Sequence, residues 1–104
     1  MAQKASKLVI VTEKLLLKEV VSIINAAGAT GYTVVAAGGK GSRNVRSSGQ
    51  PAVSDTLTNV KIEVLTPNRE LALTISDEVA ARFFGNYSGI AYLGDVEVLH
   101  AHEF

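Results

Sequence analysis

Apolar residues recur along this chain with two different periods, and the switches between them mark out its elements. Lys7–Val11 is a lysine followed by an unbroken Leu-Val-Ile-Val run, short and β-branched, as in a strand buried on both faces. The period then lengthens. Leu16, Val20, Ile23, Ile24 and Ala27 recur at helical spacing, while Lys14, Lys18 and Asn25 fall mostly elsewhere. Thr12 is expected to cap this helix with Glu13 in its first turn, and Gly28 to stop it, so a helix is predicted over 13–27. Gly31–Ala37 is predicted to be a second strand. Thr56–Thr66 is the third, with Val60, Ile62 and Val64 inward and Lys61 and Glu63 outward. Thr66-Pro67 reads as a cap followed by proline in the first helical position, and Ala72, Ile75, Val79 and Phe83 form the buried stripe of that second helix. Gly85-Asn86-Tyr87-Ser88-Gly89 breaks it. Ile90–Leu99 is the last strand, with Ile90, Tyr92, Val96 and Val98 on one face and a bulge expected at Gly94.

The order β-α-β-β-α-β is the ferredoxin-like, split β-α-β arrangement. The fold class expected is therefore α+β: an antiparallel sheet with two helices on one face, in a single domain spanning 1–104. Right-handed crossovers are expected to bring strands one and three together at the centre, parallel to each other. Both helices then cover one sheet face. Tyr32, Val34 and Ala36 alternate with Thr33, Val35 and Ala37, so strand two is apolar on both sides, and an apolar uncovered face favours self-association.

Between the second and third strands lies the stretch from Gly38 to Asp55. It holds four of the chain's nine glycines, one of its two prolines and the cations Lys40, Arg43 and Arg46, opposed only by Asp55. A loop longer than roughly 12–15 residues in a small domain is usually functional or disordered. Glycines admit close backbone approach, and arginine forks with backbone N–H groups suit phosphate or carboxylate. One reading is an anion-binding loop that orders around its ligand, the other a solvated hairpin tip.

Elsewhere composition mostly excludes. Ten basic and ten acidic residues cancel, so no global field draws the chain to nucleic acid or acidic lipid. With no cysteine there is no disulfide, thiolate chemistry or cysteine–zinc site. The apolar runs are too short for a membrane span or a secretory signal, so a soluble, intracellular protein is expected. An RNA-binding module of this topology would stack bases on aromatics of its central strands, and none stands at Leu8–Val11 or Val60–Leu65. A copper carrier would need Cys-x-x-Cys. An acylphosphatase-like enzyme would use an arginine and an asparagine; Arg43 and Asn44 are the right types but lie on a long loop. His100 and His102 would share one face of a strand and could ligate a metal, but an exposed terminal pair explains them as well. No nucleophile is paired with a base, and Ser42 beside Arg43 reads as a phosphate donor. Asp55, Glu63 and Asp95 have no metal-site spacing, and Glu13 and Glu19 read as ordinary helix-surface carboxylates.

Gly31-Tyr32-Thr33-Val34 followed by Gly39-Lys40-Gly41 resembles the pattern of PII signalling proteins. The run from Gly38 to Ser47, with Lys7–Lys14, Ala27–Val34 and Phe83–Ile90, is similar to the carbon-sensing SbtB branch of the PII-like proteins of cyanobacteria. The resemblance covers nearly the whole chain. It implies a homotrimer with adenine nucleotides (cyclic AMP, AMP, ADP and ATP) in the clefts between subunits, and no prosthetic group. Residues 38–55 would be the T-loop and 84–89 the B-loop. The resemblance would give Arg43 and Arg46 the phosphates, assisted by Lys40, Gly41, Ser42 and Asn44. Gly31 and Thr33 would lie near the ribose and base, and Gly89 and Ile90 would line the nucleotide with backbone. The partner implied is SbtA, a sodium-dependent bicarbonate transporter, contacted through the T-loop at the cytoplasmic membrane. Many relatives end in a Cys-Gly-Pro-x-Gly-Cys extension; this sequence ends at Phe104 without cysteine, so redox control through it is not expected. Ordinary PII proteins also carry a B-loop lysine and two arginines near the C-terminus. Neither stands at Gly85–Ile90 or Gly94–Phe104, which implies fewer clamps for a triphosphate. The expectation is a regulator and not an enzyme, with a weak nucleotide phosphohydrolase or a CutA-like metal-tolerance trimer as the alternatives.

Overall fold

The structure is a computed structural model that describes residues 2–29, 31–38 and 58–102. Four strands form one sheet: β1 (Gln3–Glu13), β2 (Tyr32–Ala37), β3 (Asn59–Thr66) and β4 (Gly89–Val98), in the spatial order β2-β3-β1-β4. Two helices, α1 (Leu17–Ala26) and α2 (Arg69–Phe83), lie on one face. This is the expected α+β, ferredoxin-like fold.

The central pair departs from expectation. β1 and β3 are neighbours, but antiparallel, with Leu8 opposite Val64 and Ile10 opposite Ile62. The reason is connectivity. Each helical crossover returns the chain to its starting direction, whereas the β2–β3 connection reverses it, so β3 must run against β1. The register between β1 and β4 is unbroken from Gln3↔Val98 to Thr12↔Gly89, so Gly94 makes no bulge and pairs with Lys7.

Period-2 alternation decides which side chains enter the core. Leu8, Ile10, Val60, Ile62 and Val64 point to the helices and are buried, meeting Leu16, Val20, Ile23 and Ile24 from the α1 side and Ala72, Ile75 and Val79 from α2. Phe83 is only partly buried at the edge of this core. Val9, on the opposite sheet face, is also buried, as the unbroken apolar run of β1 requires. That face otherwise remains open. Val35 on edge strand β2, and Ile90 and Tyr92 on edge strand β4, are 50%, 57% and 48% exposed on it, so large apolar groups stand uncovered at both edges of this face.

Two helix starts differ from the sequence expectation. β1 continues through Glu13, and a single 3-10 turn, Lys14–Leu16, leads into α1, so Thr12 caps nothing. Thr66 likewise remains in β3. The N-cap of α2 is Asn68, whose side-chain oxygen accepts from the Leu71 N–H at 2.9 Å; Thr66 instead donates its hydroxyl to the Asn68 carbonyl at 2.7 Å. At the other end of α1, Gly28 takes φ +94°, the left-handed conformation that closes a helix after its last turn. The third strand begins at Asn59; residues 56 and 57 lie outside the described residues.

Candidate functional site

The 84–89 connection is built from the end of α2. Phe84 donates its N–H to the Ala80 carbonyl, and the N–H groups of Asn86 and Tyr87 both return to the Phe83 carbonyl, at 3.1 and 2.9 Å. Tyr87 packs edge-on against Phe83, with ring centroids 6.4 Å apart. Ser88 then meets the end of β1. Its carbonyl accepts the Thr12 hydroxyl at 2.8 Å. Its own N–H donates to Glu13 Oε2 at 2.8 Å, and its hydroxyl reaches the same oxygen at 3.3 Å. Both backbone groups of Ser88 are thus fixed by two consecutive residues far away in the sequence. Gly89 follows with the Phe84 ring laid against its backbone, where a Cβ would collide with the ring. Glycine is required there by close approach.

The same end of the sheet roots the long loop. Ala37 pairs with Asn59, and Asn59 with Glu13. The Lys14 N–H donates to the Thr58 carbonyl at 2.7 Å. A continuous hydrogen-bonded path therefore runs from Ser88 through Glu13 and Lys14 to Thr58. Thr12, expected as a helix cap, and Glu13, expected on a helix surface, instead hold the turn. No local spacing could have disclosed this, because the partner Ser88 is more than seventy residues away. Asn59 Oδ1 lies beside this path, buried and without a hydrogen-bond partner among the described residues.

Of the predicted site residues, Gly31, Thr33, Gly89 and Ile90 are described. Lys40, Gly41, Ser42, Arg43, Asn44 and Arg46 lie outside the described residues. The four described residues do not converge in one chain. Thr33 is exposed on edge strand β2, aligned through Glu63 and Val9 with Tyr92 on β4, whereas Ile90 stands on the opposite edge strand. Three strand spacings and a two-residue offset separate Thr33 from Ile90 by roughly 14–16 Å. Gly31 lies at the far end of the sheet from Gly89, where it lines a cavity of about 490 Å³ with Lys4, Ala5, Leu65, Thr66 and Val98. That volume is within the range of small-molecule sites.

His100 and His102 lie beyond the end of β4, so no strand aligns them. Among the described residues, no group of three or more His, Asp or Glu side chains is placed to hold a metal ion. No helix of the described residues is long and apolar enough to cross a membrane.

A four-stranded antiparallel sheet backed by two helices, with a long connection leaving between β2 and β3, is the architecture of PII-like signalling proteins. The chain belongs to the nitrogen regulatory protein P-II family, whose model matches residues 5–103. It is similar to a solved PII-like signalling protein from Thermus thermophilus, at 33% identity, with 93% of this chain and 91% of that one covered and a TM-score of 0.74. It is also similar to CPII, a nitrogen regulatory PII-like protein from Thiomonas intermedia. One CPII structure, bound to ADP, AMP and bicarbonate, is 25% identical over 94% of this chain and 98% of CPII, with a TM-score of 0.74. Another, bound to ADP and bicarbonate, is 25% identical over 94% of this chain and 91% of CPII, with a TM-score of 0.76.

Proposed function

We propose that this PII-like signalling protein is a sensor of adenine nucleotides of the SbtB kind, working as a homotrimer. The observation that carries the reading is the separation of the candidate site. Gly31 and Thr33 belong to the β2 side of the sheet, Gly89 and Ile90 to the β4 side. A ligand touching both halves is best served by two copies, with the β4 side of one facing the β2 side of the next. Such a head-to-tail contact closes as a ring. The open sheet face with Val35, Ile90 and Tyr92 supplies the apolar surface for that ring.

In this reading residues 1–104 are one domain, 38–55 are the T-loop and 84–89 the B-loop. Arg43 and Arg46 hold phosphate, with Lys40, Gly41, Ser42 and Asn44 assisting. The ligands are cyclic AMP, AMP, ADP and ATP; the ADP and AMP bound by CPII support the class. The bicarbonate held with them in CPII supports a link to inorganic carbon. The output is ligand-dependent contact of the T-loop with the bicarbonate transporter SbtA, which brings a cytoplasmic protein to the membrane. A change in loop order on ligand binding is a known switching device, and the ligand's differential affinity for the two loop states limits how far it shifts them. The role is regulation and not catalysis.

The test is a calorimetric titration of the purified protein with each of the four nucleotides, with and without magnesium. Binding near one site per subunit is expected, and no binding to any of them overturns the reading. Arg43→Ala and Arg46→Ala are each expected to weaken binding by about 1.5–3 kcal/mol, the range for a charged hydrogen bond. Unchanged affinity in both variants removes the phosphate assignment.

A further inference from the structure

We infer that the groove between α2 and β4 receives the Tyr32 side chain of a second copy, whose β2 lies along the outer edge of β4. The inference rests on the ring proposed above and deepens it by fixing the register in which two copies meet. β2 and β4 are the end strands of the sheet. Edge strands are usually protected from pairing by charge or proline. Neither Tyr32–Ala37 nor Gly89–Gly94 contains a charged residue or a proline, so nothing in these two segments repels the other.

The pairing across the sheet shows which residues of the two edges stand level. Tyr32 is level with Leu93 through Val64 and Leu8, on the helix side. On the open side Val35 is level with Ile90 through Lys61 and Val11, and Thr33 with Tyr92 through Glu63 and Val9. All three pairings are antiparallel, so β2 and β4 run in opposite directions. Rotation about an axis along the strands keeps both level and direction. β2 of the next copy then meets β4 antiparallel, the sense in which adjacent strands pair directly. Tyr32, Val35, Ile90 and Tyr92, each exposed in the single copy, are covered by the same contact. Thr33 of one copy then stands roughly 8 Å from Ile90 of the other, one strand spacing and two residues away. The edge has a place for the phenol ring at this level. Arg69, Ala72, Leu73 and Ser76 of α2, with Ala91 and Leu93 of β4, line a cavity of about 150 Å³. Small-molecule sites begin near ~300 Å³, so this one suits a single side chain. Its apolar walls fit the ring, and Arg69 and Ser76 supply donors for the phenol oxygen.

The chain has no cysteine, so an introduced pair reports only on itself. Val35→Cys with Ile90→Cys in one chain places the two thiols roughly 14 Å apart, beyond the ~7 Å reach of a disulfide within that chain. Under mild oxidation this variant is expected to become covalently linked trimers on a non-reducing gel. Val35→Cys with Val98→Cys, displaced by roughly 27 Å along β4, should stay unlinked. Tyr32→Ala is expected to raise the concentration at which the ring dissociates by about tenfold or more, as for an aromatic anchor, measured by sedimentation. Tyr32 is exposed in the single copy, so circular dichroism should find the fold unchanged. A trimeric wild type whose Val35–Ile90 pair stays unlinked, or links no better than the displaced pair, overturns the register and leaves the ring standing. Unchanged assembly of Tyr32→Ala overturns the anchor, and is the result expected if the groove instead serves a strand of another protein. A monomeric wild type overturns the ring itself, and this contact with it.

Discussion

Gly85 and Gly89 bracket the same turn, yet they answer to different physics. Nothing lies within 4 Å of a Cβ added at Gly85, whereas one added at Gly89 meets the side chain of Phe84, which itself packs against the core. Gly89→Ala must therefore push an aromatic ring out of place. We expect it to destabilise the protein by about 1–3 kcal/mol, the usual cost of overpacking, while Gly85→Ala stays within about 0.5 kcal/mol of wild type. Urea unfolding of both variants checks the pair, and equal stabilities would remove the close-approach account of Gly89. The sequence marked both glycines as a break in periodicity but could not rank them, because the ring that distinguishes them is placed by tertiary packing.

At the level of elements, periodicity was a sound guide to interiors and a poor one to ends. The stripes Val60-Ile62-Val64 and Ala72-Ile75-Val79 are buried as the spacing predicts, because burying an apolar face is what stabilises a strand or a helix. Ends are chosen by single hydrogen bonds. Thr66-Pro67 has the composition of a cap, yet β1 retains Thr66 as a strand partner opposite Ser6, and the cap passes to Asn68. Asn68→Ala is expected to cost about 1 kcal/mol, and Asn68→Asp much less. Thermal unfolding of the two variants decides it; equal losses would mean that the Leu71 N–H has another acceptor. The Ser88–Glu13 contact was illegible for a related reason. Its members are ordinary polar residues, and only the closing of β1 against β4 brings them together. The long loop was visible in the sequence by its glycines and cations, but its chemistry stays with residues beyond those described.

For the whole molecule, the open sheet face and the divided site proposed above make the same demand for further copies. Ile90 is exposed on that face and belongs to one half of the proposed site. Ile90→Asp would bury an unpaired carboxylate in the proposed ring, and a group so placed is strongly disfavoured. Light scattering on a sizing column should find the variant as monomers at concentrations where the wild type is trimeric. A wild type that is itself monomeric would sink the ring. In the proposed ring, the division of the site between two sheet edges also makes the subunits able to repair one another. A variant damaged only on its β2 side, such as Thr33→Arg, and one damaged only on its β4 side, such as Gly89→Val, should each bind nucleotide poorly alone. Unfolded together and refolded as a mixture, they bring an undamaged β4 side against an undamaged β2 side in roughly a quarter of the clefts, if copies mix at random in closed rings. Binding recovered from two inactive parents would then report, without any image of the assembly, that every site has two owners.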